Sequence, residues 1–286
     1  MLIHTTALVE GSALAKALGK SSDSYSSIAP QTLCFLQTYW VSNGKYVDSN
    51  SKFCLYRLHY VLYSQLPVNV NDGRTGKDAN SILASIHNFD PSIGCDAATF
   101  QPCSDKALAN HKAVTDSFRS YNINKGIAQG TALAIGRYIE DVYYNGNPWY
   151  LTTLAAAEQL YDAVYVWKQK GSITVTDTSL SFFKDLVSSV STGTYASDSA
   201  TFKQIIDAVS TYADGYVSIV AKYVGPNGAL AEQFSKNDGT PMSADDLTWS
   251  YAAFLSATER RAGIVPPTWA NGAPSVPNSC GSSTVA

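Results

Sequence analysis

The chain has 286 residues, 45% of them hydrophobic and 12% aromatic, which admits one large domain or two modest ones and excludes a disordered chain. Only 15% are charged and the net charge is −3, so nucleic acid is excluded as the main partner, because a phosphate-binding surface needs a basic excess. No run of 18 apolar residues is present, so no segment reads as a membrane span.

In chain order, helical patterns dominate. Met1–Thr6 has neither a basic nor an apolar leader region, so it does not read as a secretory signal. The expectation is an intracellular protein or a chain lacking its true beginning. Weak helical patterns follow at 5–18 and 28–40. Residues 44–66 fit poorly. They show no helical stripe, and they contain Cys54. One reading is a surface β-hairpin insertion. The other is a translated intron: Gly44-Lys45-Tyr46 is encodable by a stretch containing the splice donor GTAAGT, and Gln65 by the acceptor CAG.

Further weak helices are expected at 76–88, 104–119 and 177–190. Asn147-Pro148 reads as a helix start, with a capping amide and Pro at the first helical position. From Trp149 to Lys170 there is no Gly or Pro, and Ala156, Leu160, Val164 and Trp167 form a stripe. Ile173–Thr176 is the best strand candidate. Phe202, Ile205, Ile206, Val209, Tyr212, Ala213, Tyr216 and Val220 repeat with the 3.6-residue period of a helix. Ser243 is expected to cap one more helix, with Asp246 as a near capping box and Leu247, Tyr251 and Leu255 on its apolar side. The tail from Pro266 reads as irregular. The long loops at 89–103, 136–147 and 225–242 are where function is expected.

The five cysteines contain no C-x-x-C pair, which speaks against a tetrahedral zinc site. Cys95 and Cys103 bracket a short Pro-containing loop that suits a disulfide. Cys34 and Cys280 leave open a tie between the tail and an early helix. The four histidines, His4, His59, His87 and His111, show no metal-ligand spacing. His87 and His111 are expected to be hydrogen-bonded structural residues. No metal and no cofactor are expected.

Two segments carry candidate chemistry. Gly136–Tyr150 holds one Arg, two acids, two Asn and five aromatics in fifteen residues. Sugar rings need flat aromatic faces and planar polar groups. Gly228–Gly239 places Glu232 in a loop just ahead of Ser243 and Trp249. By composition alone, packing aromatics and solvated acids are the stronger reading of both.

Several stretches together resemble the fungal glucoamylases of glycoside hydrolase family 15. They are Gly76–Asn80, Thr99–Ser104, Ala107–Lys112, Gly136–Tyr150, Ala231–Gln233 and Asp246–Ala252. The resemblance covers nearly the whole chain outside about 44–66. It implies an all-α fold, an (α/α)6 barrel, and inverting release of β-D-glucose from non-reducing ends of starch and maltooligosaccharides. An inverting glycosidase uses two carboxyl groups about 6.5–9.5 Å apart, one as acid and one as base.

Residue by residue, the resemblance makes Glu232 the general base and Ser243 the residue that orients it, a role compatible with capping. It makes Arg137 a ligand of sugar hydroxyls, and Tyr143, Trp149 and Trp249 aromatic lining. Asp141 becomes a supporting buried acid. Ile139 stands where the family motif has Pro. The implied disulfides are Cys34–Cys280 and Cys95–Cys103, which leaves Cys54 unmatched. The match is to the second half of the family's catalytic domain only, so residues 1–286 are expected to form an incomplete domain and a partial barrel. The family's general acid lies in the other half. Of the other glutamates, Glu10, Glu140, Glu158 and Glu259, none sits in a matching motif. The family is extracellular and takes α-glucan.

The expected function is thus glucan 1,4-α-glucosidase chemistry with this chain inactive alone. The alternative is a non-catalytic remnant that binds α-glucan weakly or associates through an unclosed barrel face. An intracellular scaffold unrelated to sugar conflicts with the retained Glu232 and Arg137 motifs.

Overall fold

The computed structural model describes residues 2–49, 73–267 and 275–277. Eight α-helices lie among them, joined by long loops and three two-stranded ribbons. α1 (Leu2–Ala17) and α2 (Asp23–Gln37) form an antiparallel hairpin. α2 starts five residues before the sequence pattern placed it and runs through Pro30. β1 (Trp40–Val41) pairs antiparallel with β2 (Tyr46–Val47), so the start of the poorly fitting segment is a tight hairpin. From residue 50 onward that segment, including Cys54 and His59, lies outside the described residues, and so does most of the tail.

α3 (Asn80–His87) is shorter than the predicted 76–88. Its would-be first turn is used differently: Asp78 bridges to Tyr138, and the Ala79 amide donates to the Arg137 carbonyl at 2.7 Å. α4 (Asp105–Asp116) opens with Ser104, whose Oγ accepts the Ala107 amide. The Cys95–Cys103 disulfide closes the loop ahead of it, as expected. Cys34 is a half-cystine, while Cys280 lies outside the described residues.

α5 (Tyr150–Lys170) is the central helix. The four-residue stripe seen in sequence understates it, because α5 is buried on every side until its last turn. Ala155, Ala156 and Ala157 let neighbouring backbones come close. β3 (Ser172–Val175) is the predicted strand and pairs with β4 (Gly193–Ala196). α6 (Leu180–Leu186) lies between them in sequence. α7 (Ala200–Tyr223) packs along α5, and its eight buried residues are the eight of the sequence stripe. β5 (Gln233–Phe234) pairs with β6 (Pro241–Met242), and α8 (Thr248–Arg261) packs on the other flank of α5.

His111 of α4 is fully buried against α5 and α7. Its Nδ1 pairs with Gln159 Oε1 at 3.1 Å and its Nε2 with Tyr216 Oη at 3.3 Å. This is the structural role expected of it. Burial lowers its pKa to about 4. The unfolded chain therefore takes up this proton at higher pH than the folded chain does. The stability is complete above about pH 6.5 and is lost as pH falls toward 4, by roughly 3 kcal/mol in all. Thermal melting across this range checks it: His111→Asn flattens the acid limb.

Candidate active site

Two loops meet at the N-terminus of α5. The first runs from Gly136 to Trp149. Gly136 is required because a Cβ there would lie 2.6 Å from Tyr121 Oη and 2.8 Å from the Asn147 carbonyl. Gly146 has φ 69°, and a Cβ would strike the Asp141 carbonyl at 2.3 Å. Between them Asp141 organises the loop. Its side chain is 1% exposed, accepts Arg137 Nε and Nη2 at 2.7 Å each, and also accepts the Tyr143 amide at 2.9 Å. The bidentate carboxylate raises the Arg137 pKa further, fixing the guanidinium as a cation. Arg137 remains 35% exposed, so its outer edge is open to a ligand. Its guanidinium carbon lies 5.0 Å from the Tyr143 ring centre and 5.1 Å from that of Trp149.

The second loop carries Glu232 immediately before β5. Trp149 bridges to Gln233, and the Phe234 amide donates to the Pro148 carbonyl at 3.1 Å. Asn147 reinforces the join. Its Nδ2 donates to the Tyr144 carbonyl at 2.9 Å and to Gln233 Oε1 at 3.4 Å, while its Oδ1 accepts the Lys236 amide. Asn147 is thus not a helix cap. α5 begins three residues later, because the Asn147-Pro148 backbone is taken up by cross-loop pairing. Beneath the join, Phe234 is fully buried between Tyr150 and Tyr223, with ring centres at 4.8 and 5.2 Å.

Three donors converge on one carboxylate oxygen. Glu232 Oε2 accepts from Ser243 Oγ, from Gln233 Nε2 at 3.0 Å and from Tyr143 Oη at 3.4 Å. Oε1 receives none of these. Ser243 does not start a helix: it sits after β6 with φ 68°, a left-handed backbone uncommon for a side-chain-bearing residue. The Ala244 carbonyl is instead occupied by the Glu232 amide at 2.8 Å, and the Leu247 amide by the Leu230 carbonyl at 3.0 Å. α8 therefore begins at Thr248, and Asp246 accepts from Tyr251 Oη rather than from a helix amide.

Glu232, Ser243, Tyr143, Arg137, Asp141 and Trp149 thus form one cluster. Trp249 stands on the first turn of α8, 49% exposed, and no hydrogen bond or ring contact among the described residues joins it to them. Sequence reading missed Gln233, Asn147 and the pair Arg74–Asp78. Arg74 Nη2 meets Asp78 Oδ2 at 2.8 Å behind Tyr138, with its guanidinium 3.5 Å from that ring centre. Burial raises the Asp78 pKa against the pull of Arg74. Residues 74–78 are not helical, so no local spacing rule announced the pair. No group of three His, Cys, Asp or Glu side chains among the described residues is set to hold a metal, and no helix there is long and apolar enough to cross a membrane.

The helix-rich architecture matches solved glucoamylases with the (α/α)6 fold. A glycoside hydrolase family 15 glucoamylase from Hypocrea jecorina superposes with a TM-score of 0.89 at 64% identity, over 97% of this chain and 44% of that one. The Hormoconis resinae glucoamylase gives 0.85 at 50% identity. In sequence, the Neurospora crassa glucoamylase is 63% identical over 98% of this chain and 42% of its own length. The sequence profile of Glycosyl hydrolases family 15 matches residues 1–259. The chain belongs to glycoside hydrolase family 15, and it spans less than half the length of these relatives.

Proposed function

We propose that residues 1–286 supply the general-base half of an inverting glucoamylase site, acting on the terminal α-1,4-linked glucose of starch and maltooligosaccharides. The observation that carries the reading is the triple hydrogen bonding of Glu232 Oε2 beside an aromatic-backed Arg137. Donors on one oxygen fix the carboxylate plane and leave Oε1 to take a proton from attacking water. Ser243 orients the base, Arg137 holds sugar hydroxyls, Tyr143, Trp149 and Trp249 line the approach, and Asp141 supports Arg137.

An inverting reaction also needs a general acid across the sugar. The other glutamates with described contacts are engaged elsewhere: Glu140 Oε1 accepts the Thr75 amide, and Glu158 accepts Ser256 Oγ between α5 and α8. We therefore place the acid in the remaining half of an (α/α)6 barrel, of which this chain is the second part, and read the chain alone as inactive. The reading includes association through the unclosed face; Leu255 of α8 and Ile264 just after it, 62% and 58% exposed, offer apolar surface for it. The proposed setting is extracellular, as for the family.

The test is glucose release from maltotriose by the purified chain alone and after co-refolding with a polypeptide supplying the first half of a family 15 catalytic domain. Release only after co-refolding supports the reading. Release by the chain alone overturns the assignment of the acid. The second reading, binding without catalysis, draws on the exposed Trp249 and the open edge of Arg137. Maltotriose that quenches Trp fluorescence, with no hydrolysis after co-refolding, selects it.

A further inference from the structure

Two buried carboxyl groups in the seam between α5 and α8 take no part in the site above. Asp162 is fully buried, and among the described residues neither of its carboxylate oxygens has a hydrogen-bond partner. Arg260 of α8 stands beside it, with Nε 3.2 Å from Oδ1, as an ion pair only. One turn earlier, Glu158 is buried too and accepts Ser256 Oγ from α8. Two acids therefore face one guanidinium.

The charges around them do not restore the balance. Glu259 on α8 adds negative charge near Glu158. Asp214 on α7 is engaged by Tyr161 Oη at 2.5 Å and by Arg261 Nε and Nη2 at 2.8 and 3.1 Å. α3 carries only His87 among titratable groups. Burial, and then mutual repulsion, holds the Asp162 carboxyl well above the usual carboxylate range, and burial raises Glu158 as well.

We propose that Asp162 and Glu158 share one proton against Arg260 and act as a pH-sensitive fastener of α8. With one proton bound the seam is neutral. When that proton leaves to solvent, a net negative charge stays in a dry interface and α8 loosens. The effect reaches the Glu232 loop, because α8 and its leading turn hold it. The Leu247 amide donates to the Leu230 carbonyl at 3.0 Å, Ser250 Oγ to the Ala231 carbonyl at 2.7 Å, and the Leu230 amide to Tyr251 Oη at 3.2 Å. This inference does not depend on Glu232 acting as a base. The folded pair holds its proton to higher pH than the unfolded chain does, so the stability is present at acid pH and lost as pH rises, opposite in sign to His111.

The test is circular dichroism melting of the whole chain from pH 7 to 9, above the range in which His111 titrates, with amide exchange at Leu230 and Leu247 corrected for intrinsic rates. In the natural chain Tm falls by roughly 3–8 °C as pH rises, and protection at both amides drops about tenfold. Asp162→Asn flattens both trends, and His111→Asn leaves them in place. An Asp162→Asn variant that keeps the natural slope, or protection that does not change with pH, overturns the proposal. If Asp162→Asn does not fold, Glu158→Gln decides: a flattened slope supports the fastener and an unchanged slope overturns it.

Discussion

Glu232→Gln lowers glucose release from maltotriose by about 10²–10⁴-fold in the co-refolded enzyme, the range that one general acid–base group supplies. Gln keeps the shape and an acceptor oxygen for Ser243, but it takes no proton from water at pH 7. Because Ser243, Gln233 and Tyr143 all meet Oε2, the loop geometry survives. The loss therefore falls on kcat, while KM changes little. The measurement is steady-state kinetics with melting as the control for folding. A variant within threefold of the natural kcat would remove Glu232 from the mechanism.

The second large effect is on stability. Trp167→Ala costs about 3–5 kcal/mol, the usual range for deleting a buried indole. Trp167 is 2% exposed near the end of α5, and its ring centre lies 5.8 Å from that of Phe183. Trp167 and Phe183 are both buried in the same core cluster, so the deletion leaves its cavity inside the core. Domains hold about 5–15 kcal/mol in total, so about a fifth or more of the stability disappears. Urea unfolding checks this, with the midpoint shifted and the slope unchanged.

How far the residues announce the structure depends on how many faces an element buries. α7 buries one face, so its eight-residue stripe is readable as it stands. α5 buries every face, and periodicity carries no information when there is no polar side to contrast with. The loop ends misled for a different reason. Asn147 and Ser243 are both good capping residues, and local chemistry favours placing them at helix starts. In the structure their partners are distant in sequence: Gln233 and Lys236 for Asn147, and Glu232 for Ser243. Local rules do not see such pairings. The resemblance carried Glu232, Arg137 and Asp141 to one place, but it gave no role to Gln233, whose amide serves both loops.

The join between the sugar-facing loop and the base loop is made largely of uncharged bonds. Backbone pairs at Trp149–Gln233 and Phe234–Pro148 and the amide of Asn147 set the spacing between Arg137 and Glu232. Ionic strength screens exposed ion pairs such as Arg261–Asp214, 57% and 43% exposed, and leaves such bonds nearly untouched. The two loops should therefore keep their alignment in dilute buffer and in brine alike, even where salt weakens the Arg261–Asp214 tie between α8 and α7.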